Sequence, residues 1–423
     1  MAPWVAPVIG PARGVTTSSP FHYPVFRALW AFCMLSQMGI LVQSVGASWM
    51  MVDHGASPQM IASVQTAASV PFILLSPLSG VLADHIDRRI IMIVAQGLLA
   101  FVSIGLALLA WQGLASPWAL LGFTFLIGCC LAFNGPAWMA TAGDIVPRAA
   151  LANAVVYNAV GLNLSRCVGP AIGGVIVGVG GATANFAVSA IAAIIFVGAL
   201  SIWRPAPLLA PRAIGSMGKA IMAGIGQVRQ NPAIAAALFR AIIFGASVSA
   251  LQALLPLIAR DLLKAGSTTY GLLFASYGLG ALGGAMFSGR VRRAMGSENA
   301  LRLCAVVSSA AAMGIAFSPV PWVTAGFLAL AGAFWVVAYS VLNVAVQMAS
   351  PRWVVARTMS LYQMAVYTGI ALGGWLGGLY AGCFGTFVSF LLVAALALAS
   401  IAAGVLAPLH SVESDGEAVD IGI

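Results

Sequence analysis

Twelve stretches of about 18 to 28 residues, each with at most one charged side chain in its interior, follow one another along this chain with short polar links between them. They run approximately over 26–50, 58–83, 90–112, 118–143, 151–177, 183–203, 232–259, 269–289, 300–317, 322–348, 355–381 and 385–408. As helices, each is long enough to cross about 30 Å of hydrocarbon. Backbone groups in lipid have no water to bond, which leaves only the α-helix or the closed barrel, and barrel strands are about 9–11 residues long. The pattern predicts an all-α membrane protein with twelve transmembrane helices. Charged residues make up 7% of the chain, against about 25% in a soluble domain, which excludes a soluble fold.

The links set the organisation. The longest interior one, 204–231, holds Arg204, Arg212, Lys219 and Arg229 without one acid. It divides the chain into two sets of six spans, 26–203 and 232–408, flanked by tails at 1–25 and 409–423, the last of them acidic. The first tail lacks the charged start and continuous apolar core of a cleavable signal and reads as a cytoplasmic extension. With that end inside, Arg88, Arg89, Arg148, the four central basic residues, Arg290, Arg292, Arg293, Arg302, Arg352 and Arg357 all fall on the cytoplasmic side. Only Arg260 and Lys264 fall opposite. This asymmetry predicts that both termini are cytoplasmic. Trp118 and Trp322 open their spans as interfacial anchors. The net charge of +9 therefore reads as membrane orientation, and no nucleic-acid partner is expected. Cys33, Cys129, Cys130, Cys167, Cys304 and Cys383 show no paired spacing and read as small hydrophobes, with no metal site implied.

An internal repeat supports the division. A shift of 204 residues lays Gly80 on Gly284, Arg88–Arg89 on Arg292–Arg293, and Pro147–Arg148 on Pro351–Arg352. The same shift lays Gly169, Gly173 and Gly174 on Gly373, Gly377 and Gly378, while Asp84 meets Ser288. One offset serving three separated motifs is hard to obtain from composition alone, and it points to two parallel six-helix repeats.

Three local patterns carry a resemblance to the major facilitator superfamily. They are GVLADHIDRR at 80–89, with Gly80, Asp84, Arg88 and Arg89, then PRAALANAVVYNAVGLNLSRCVGPAIGG at 147–174, and PRWVVARTMSLYQ at 351–363. Within the superfamily the chain resembles the bacterial exporter group that includes the enterobactin exporter. The run with Gly169, Pro170, Gly173 and Gly174 is similar to the fifth-helix antiporter signature, with Ser165 where that pattern has Gly. His85 and Asp87 also depart from the commonest superfamily form. The resemblance implies a major facilitator fold working by alternating access. It further implies that Asp84 faces the start of span eleven and that Arg88 pairs with Asp144, forming a cytoplasmic latch that breaks as the halves rock. A monomer is the family default.

Polar residues inside the spans are the candidates for a substrate cavity. Arg166 lies deep in span five, three residues after Asn163 and on the same helix face. A guanidinium there costs several kcal/mol unless it has a partner or lines a wet cavity. It is either an anionic-substrate contact or gate, or a structural group bonded to carbonyls near Pro170. Arg240, about two turns into span seven, is expected to snorkel to the surface. Tyr339, Asn343 and Gln347 form a stripe on span ten. Asn134 and Trp138 on span four, and Gln37 on span one with Gln43 and Ser44, make smaller ones. Such residues line a cavity or bond helices together.

No Asp or Glu stands in the middle of a span; Asp53, Asp84, Asp144 and Asp261 are at span ends. No nucleotide-binding loop is present, and no nucleophile or acid cluster of an intramembrane enzyme is visible. The expectation is a secondary transporter of the bacterial inner membrane, exporting a small amphipathic organic solute of siderophore or drug-like type. The proton is the candidate coupling ion, and no cofactor is implied. The alternatives are a metabolite importer or lipid facilitator, and, in another class, a non-transporting membrane sensor.

Overall fold

The computed structural model describes residues 19–204, 217–351 and 354–406. The helices, in chain order, are α1 (Pro24–Asp53), α2 (Pro58–His85), α3 (Arg88–Trp111), α4 (Pro117–Ile145), α5 (Arg148–Ile202) and α6 (Met217–Gln230). They continue with α7 (Pro232–Leu257), α8 (Ser267–Phe317), α9 (Pro321–Ala349), α10 (Val355–Phe384) and α11 (Thr386–Leu406). Their starts follow from local chemistry. Proline opens α1, α2, α7 and α9, where its missing N–H has no helical partner to lose. Asp87 accepts from Arg89 N at 2.9 Å and Asn231 from Ala233 N at 3.0 Å, capping α3 and α7. The departure at Asp87 thus has a structural use.

Two predicted links are replaced by single glycines. Gly181 (φ 71°) and Gly296 (φ 73°) break the long helices α5 and α8. Only glycine enters that left-handed region without cost, so no separate loop is needed. In α5 the chain reverses there. Before the bend, Gly161, Gly169 and Gly173 lie successively against Met34, Leu41 and Val42 of α1; after it, Asn185 lies against Gly46 and Ala192 against Gly39. Both arms of α5 therefore flank α1. Among the described residues nine helices are long and apolar enough to cross a membrane, α5 and α8 each counting once. The more polar α10, which holds Arg357, Thr358 and Gln363, is not one of them. The central link, read as a loop, contains the amphipathic helix α6.

The repeat is visible in the packing. Gly169 and Gly173 bring α5 onto α1, and Gly373 and Gly377 bring α10 onto Ala246 and Ala250 of α7. Their neighbours face the other way. Gly174 lies against Gly271 of α8, and its counterpart Gly378 lies against Ala62 of α2. Small residues at these crossings let backbones touch, which is how helices associate where lipid removes the hydrophobic drive.

The apolar cores show how the halves meet. One core draws on both: Val45, Trp49 and Met51 of α1, Ile61 of α2, Leu251 and Leu254 of α7, and Tyr270 of α8. It lies at the end away from the central link. At the link end the cores are separate, one built from Phe26, Leu29, Met92 and Phe196, the other from Ile234, Phe244, Leu301 and Tyr362. Among the described residues, the two halves share a core at one end and have separate cores at the other.

Candidate functional site

Arg166 stands where the shared core gives way to the separated ones. Pro170 has no N–H to donate to the Arg166 carbonyl one turn earlier, and Gly278 of α8 packs against that carbonyl, a Cβ there falling 2.5 Å from it. The two halves thus cross at the backbone of Arg166 while its side chain is exposed. Among the described residues this guanidinium has no ion pair and no hydrogen bond. Within electrostatic reach of its charge lie three tyrosines of the second half, Tyr277 of α8, Tyr339 of α9 and Tyr367 of α10. Tyr339 donates to Gln363 Oε1 at 2.9 Å, and Tyr362 donates to the Tyr339 carbonyl at 2.8 Å. Trp335 lies 6.0 Å from the Tyr339 ring. Tyr367 stacks on Phe72 of α2 at 4.3 Å, so aromatic contact also crosses between the halves. The Tyr277 hydroxyl, 5% exposed and beside Gln252, has no hydrogen bond of normal geometry.

The other predicted cavity residues divide. Asn163, one turn before Arg166, donates to the Ala159 carbonyl at 2.9 Å. Asn343 accepts from Gln347 at 2.6 Å, and with Tyr339 it keeps the α9 stripe. Gln37 is half-buried on α1. Asn134 is buried with an unpartnered Oδ1. Trp138 does not join the group: it is buried in the first half's own core, edge-on to Phe196 at 6.1 Å. The bulk of the indole is better accommodated between helices than on a wet wall. Gln43 likewise turns inward and accepts from Ser103 at 2.8 Å, joining α1 to α3. Gly169, Pro170, Gly173 and Gly174 sit at helix crossings. Among the described residues no three His, Cys, Asp or Glu side chains gather into a metal-sized group.

At the link end, Arg88 Nη1 lies 2.7 Å from Asp144 Oδ2 and also donates to the Ala140 carbonyl at 3.0 Å. Arg89 donates to the Leu200 and Ser201 carbonyls, both at 2.8 Å, and so closes the C-terminal end of α5. These bonds of the two arginines join elements of the first half. Gly80 and Asp84 belong to α2, but the surroundings of Gly80, the side chains of Asp84 and Arg148, and all of Arg212 and Arg352 lie outside the described residues.

Arg240 corrects the expectation of snorkelling. It is 1% exposed and grips Glu298 with two bonds, at 2.6 and 3.2 Å, while Arg302 reaches the same carboxylate at 3.3 Å. Glu298 sits two residues past the Gly296 bend, in what read as a polar link, and the fold carries it to α7. Gly404 of α11 leaves room for the pair. Sequence reasoning also missed Asn185, whose amide donates to the carbonyls of Val42 and Gly173 at 2.7 and 3.1 Å. It missed Tyr277, Gln363 and Tyr367 as well, although Gln363 and Tyr367 stand four residues apart on one span and could have been read as a stripe.

The helix-crossing pattern has a counterpart among known proteins. The family model described as transmembrane secretion effector, of the major facilitator type, matches residues 15–421. The chain belongs to that family. It is a transporter, not an enzyme, and a multi-pass membrane protein. The transporter is 28% identical over 365 residues to the enterobactin exporter EntS of Shigella flexneri, covering 85% of this chain and 86% of the relative. It is 28% identical over 366 residues to that of Citrobacter koseri, with the same coverage. Among solved structures it resembles a bacterial homolog of the human lysosomal transporter Spinster in an inward-facing, unoccupied conformation. There the TM-score is 0.74 at 15% identity, covering 92% of this chain and 97% of that one. It also resembles a mutant of the nucleoside transporter NupG, with TM-score 0.76 at 12% identity, over 90% and 99% of the two chains. These two likenesses concern the fold alone.

Proposed function

We propose that this transporter exports a small amphipathic organic solute across the bacterial inner membrane by alternating access, in exchange for protons. The single observation that carries the reading is the division of the core. The halves share apolar packing at one end and have separate cores at the other. Backbone-close glycine crossings at Gly174–Gly271 and Gly378–Ala62 form the joined end. A protein with one continuous core has no second arrangement to adopt. Two rigid bodies meeting along glycine seams can rock about them.

In this reading the rocking bodies are 26–203 and 232–408, linked through 204–231, and the chain acts as a monomer. Splitting α5 at Gly181 and α8 at Gly296, and adding α10 to the nine apolar helices, gives twelve crossings. The arginine-rich link end is cytoplasmic, with both termini there. The Arg88–Asp144 pair and Asp84 belong to the latch that closes that end in the opposite state, and the described state is then open to the cytoplasm. The relatives' printed function, enterobactin export, supports the outward direction. Inverted vesicles with an imposed inward-acid pH gradient test the proposal, with enterobactin and a panel of amphipathic dyes as solutes. Accumulation that collapses with the gradient is expected. Accumulation indifferent to the gradient removes proton exchange, and none for any solute removes export.

A further inference from the structure

We propose that Arg166, Tyr277, Tyr339, Gln363 and Tyr367 form a binding site for an organic anion bearing a flat ring. The inference rests on the transport reading only in taking that anion as the cargo. Two unmet demands stand side by side. Arg166 carries a full charge between the halves, and among the described residues it has neither ion pair nor hydrogen bond. On the facing half, next to the Gly278 that touches the Arg166 backbone, the Tyr277 hydroxyl is buried, with Gln252 beside it but no hydrogen bond of normal geometry. A guanidinium at membrane depth and a buried hydroxyl each lose several kcal/mol or less without a partner, and the loss is regained when one arrives.

One class of ligand satisfies both. A carboxylate or phenolate accepts from the guanidinium fork and from a hydroxyl, and such charge-assisted bonds are the strong ones. A cation would face Arg166 without compensation, and a neutral solute would leave the charge unpaired. The rest of the wall is aromatic. Trp335 and Tyr339 lie 6.0 Å apart on α9, and Tyr367 presents a ring already stacked on Phe72. Flat rings pack against such surfaces with a gain beyond area alone. Gln363, held by Tyr339, keeps its amide donors for a polar substituent on the ring. Because Gly278 touches the Arg166 backbone, the ligand would engage both halves at the point where they cross.

The test compares 2-naphthoate with its neutral isostere 2-naphthamide, by equilibrium dialysis against the full chain in nanodiscs of zwitterionic lipid. The wild type should bind the anion about 10- to 100-fold more tightly, the scale of hydrogen bonds to a charged group. Arg166→Gln should erase that preference while leaving naphthamide binding unchanged, and Arg166→Lys should retain part of it. Tyr277→Phe should weaken naphthoate binding several-fold and leave naphthamide unmoved. Each variant's elution and melting profile shows that it is folded, and unchanged naphthamide binding shows that the wall is intact. Equal affinity of the two probes for the wild type, binding of neither, or a preference that survives Arg166→Gln overturns the proposal. Anion preference with no accumulation of any solute would leave this site standing and remove export. Gradient-driven transport without anion preference would do the reverse.

Discussion

Replacing Gly174 by alanine adds one methyl group where α5 and α8 meet backbone to backbone at the joined end. That Cβ would lie 2.7 Å from the Ser267 carbonyl oxygen and 2.8 Å from Gly271 Cα. Both are backbone atoms, so no side chain can swing aside. Restoring ordinary contact needs the helices to part by roughly 0.7 Å, since carbon contacts are optimal near 3.5–4.0 Å. Overpacking of this kind costs about 1–3 kcal/mol. Here the cost falls on the state that has the joined end closed, and it is relieved when that seam opens. The balance between the two states should therefore shift by about 5- to 150-fold toward the one open at that end. Spin labels on the exposed positions Val179 and Leu272, in a background with the six cysteines replaced, report the separation directly by pulsed dipolar spectroscopy. The expected result is a longer-distance population in Gly174→Ala that is minor or absent in the parent. Gly283→Ala, on the same α8 but with nothing within 4 Å of its Cβ, serves as the neutral control. An unchanged distance distribution in Gly174→Ala, with the protein folded, would falsify the idea that this seam sets the closed state.

Other consequences concern stability. Arg240→Ala leaves Glu298, which is only 19% exposed, with the longer contact to Arg302 alone, and should cost about 3 kcal/mol, the low end for a broken buried pair. The double change Arg240→Met with Glu298→Leu should recover most of this in a detergent melting experiment, and a single mutant as stable as the double would refute the pairing argument. Arg89→Ala releases the Leu200 and Ser201 carbonyls and should lower the melting temperature by the equivalent of about 1–3 kcal/mol, with Arg89→Lys in between. No shift would mean that water replaces the arginine fully. Asn185→Leu removes the donor to the Val42 and Gly173 carbonyls and should cost about 1–3 kcal/mol. Hydrogen exchange should show faster opening around 181–189, and unchanged protection there would assign the hairpin's rigidity to packing alone.

The sequence by itself determined the fold class, because spans of this length and apolarity have only one way to satisfy their backbones in lipid. It also determined the repeat, since a single offset aligned the glycines that later proved to pack α5 on α1 and α10 on α7. Arg166 was legible as a candidate, because a charge at that depth demands explanation wherever it points. Its surroundings were not legible. Tyr277, Tyr339 and Tyr367 come from three helices between 111 and 201 residues away in the chain, and no periodicity along one helix encodes a meeting of four. The same reason hid the Arg240–Glu298 pair, whose acid lies beyond a bend that read as a link. Trp138 shows the converse, a residue on a promising stripe that the tertiary structure turned into the core. Local pattern sets which side chains share a helix face; only the packing of one helix on another decides whether that face meets lipid, protein or the space between the halves.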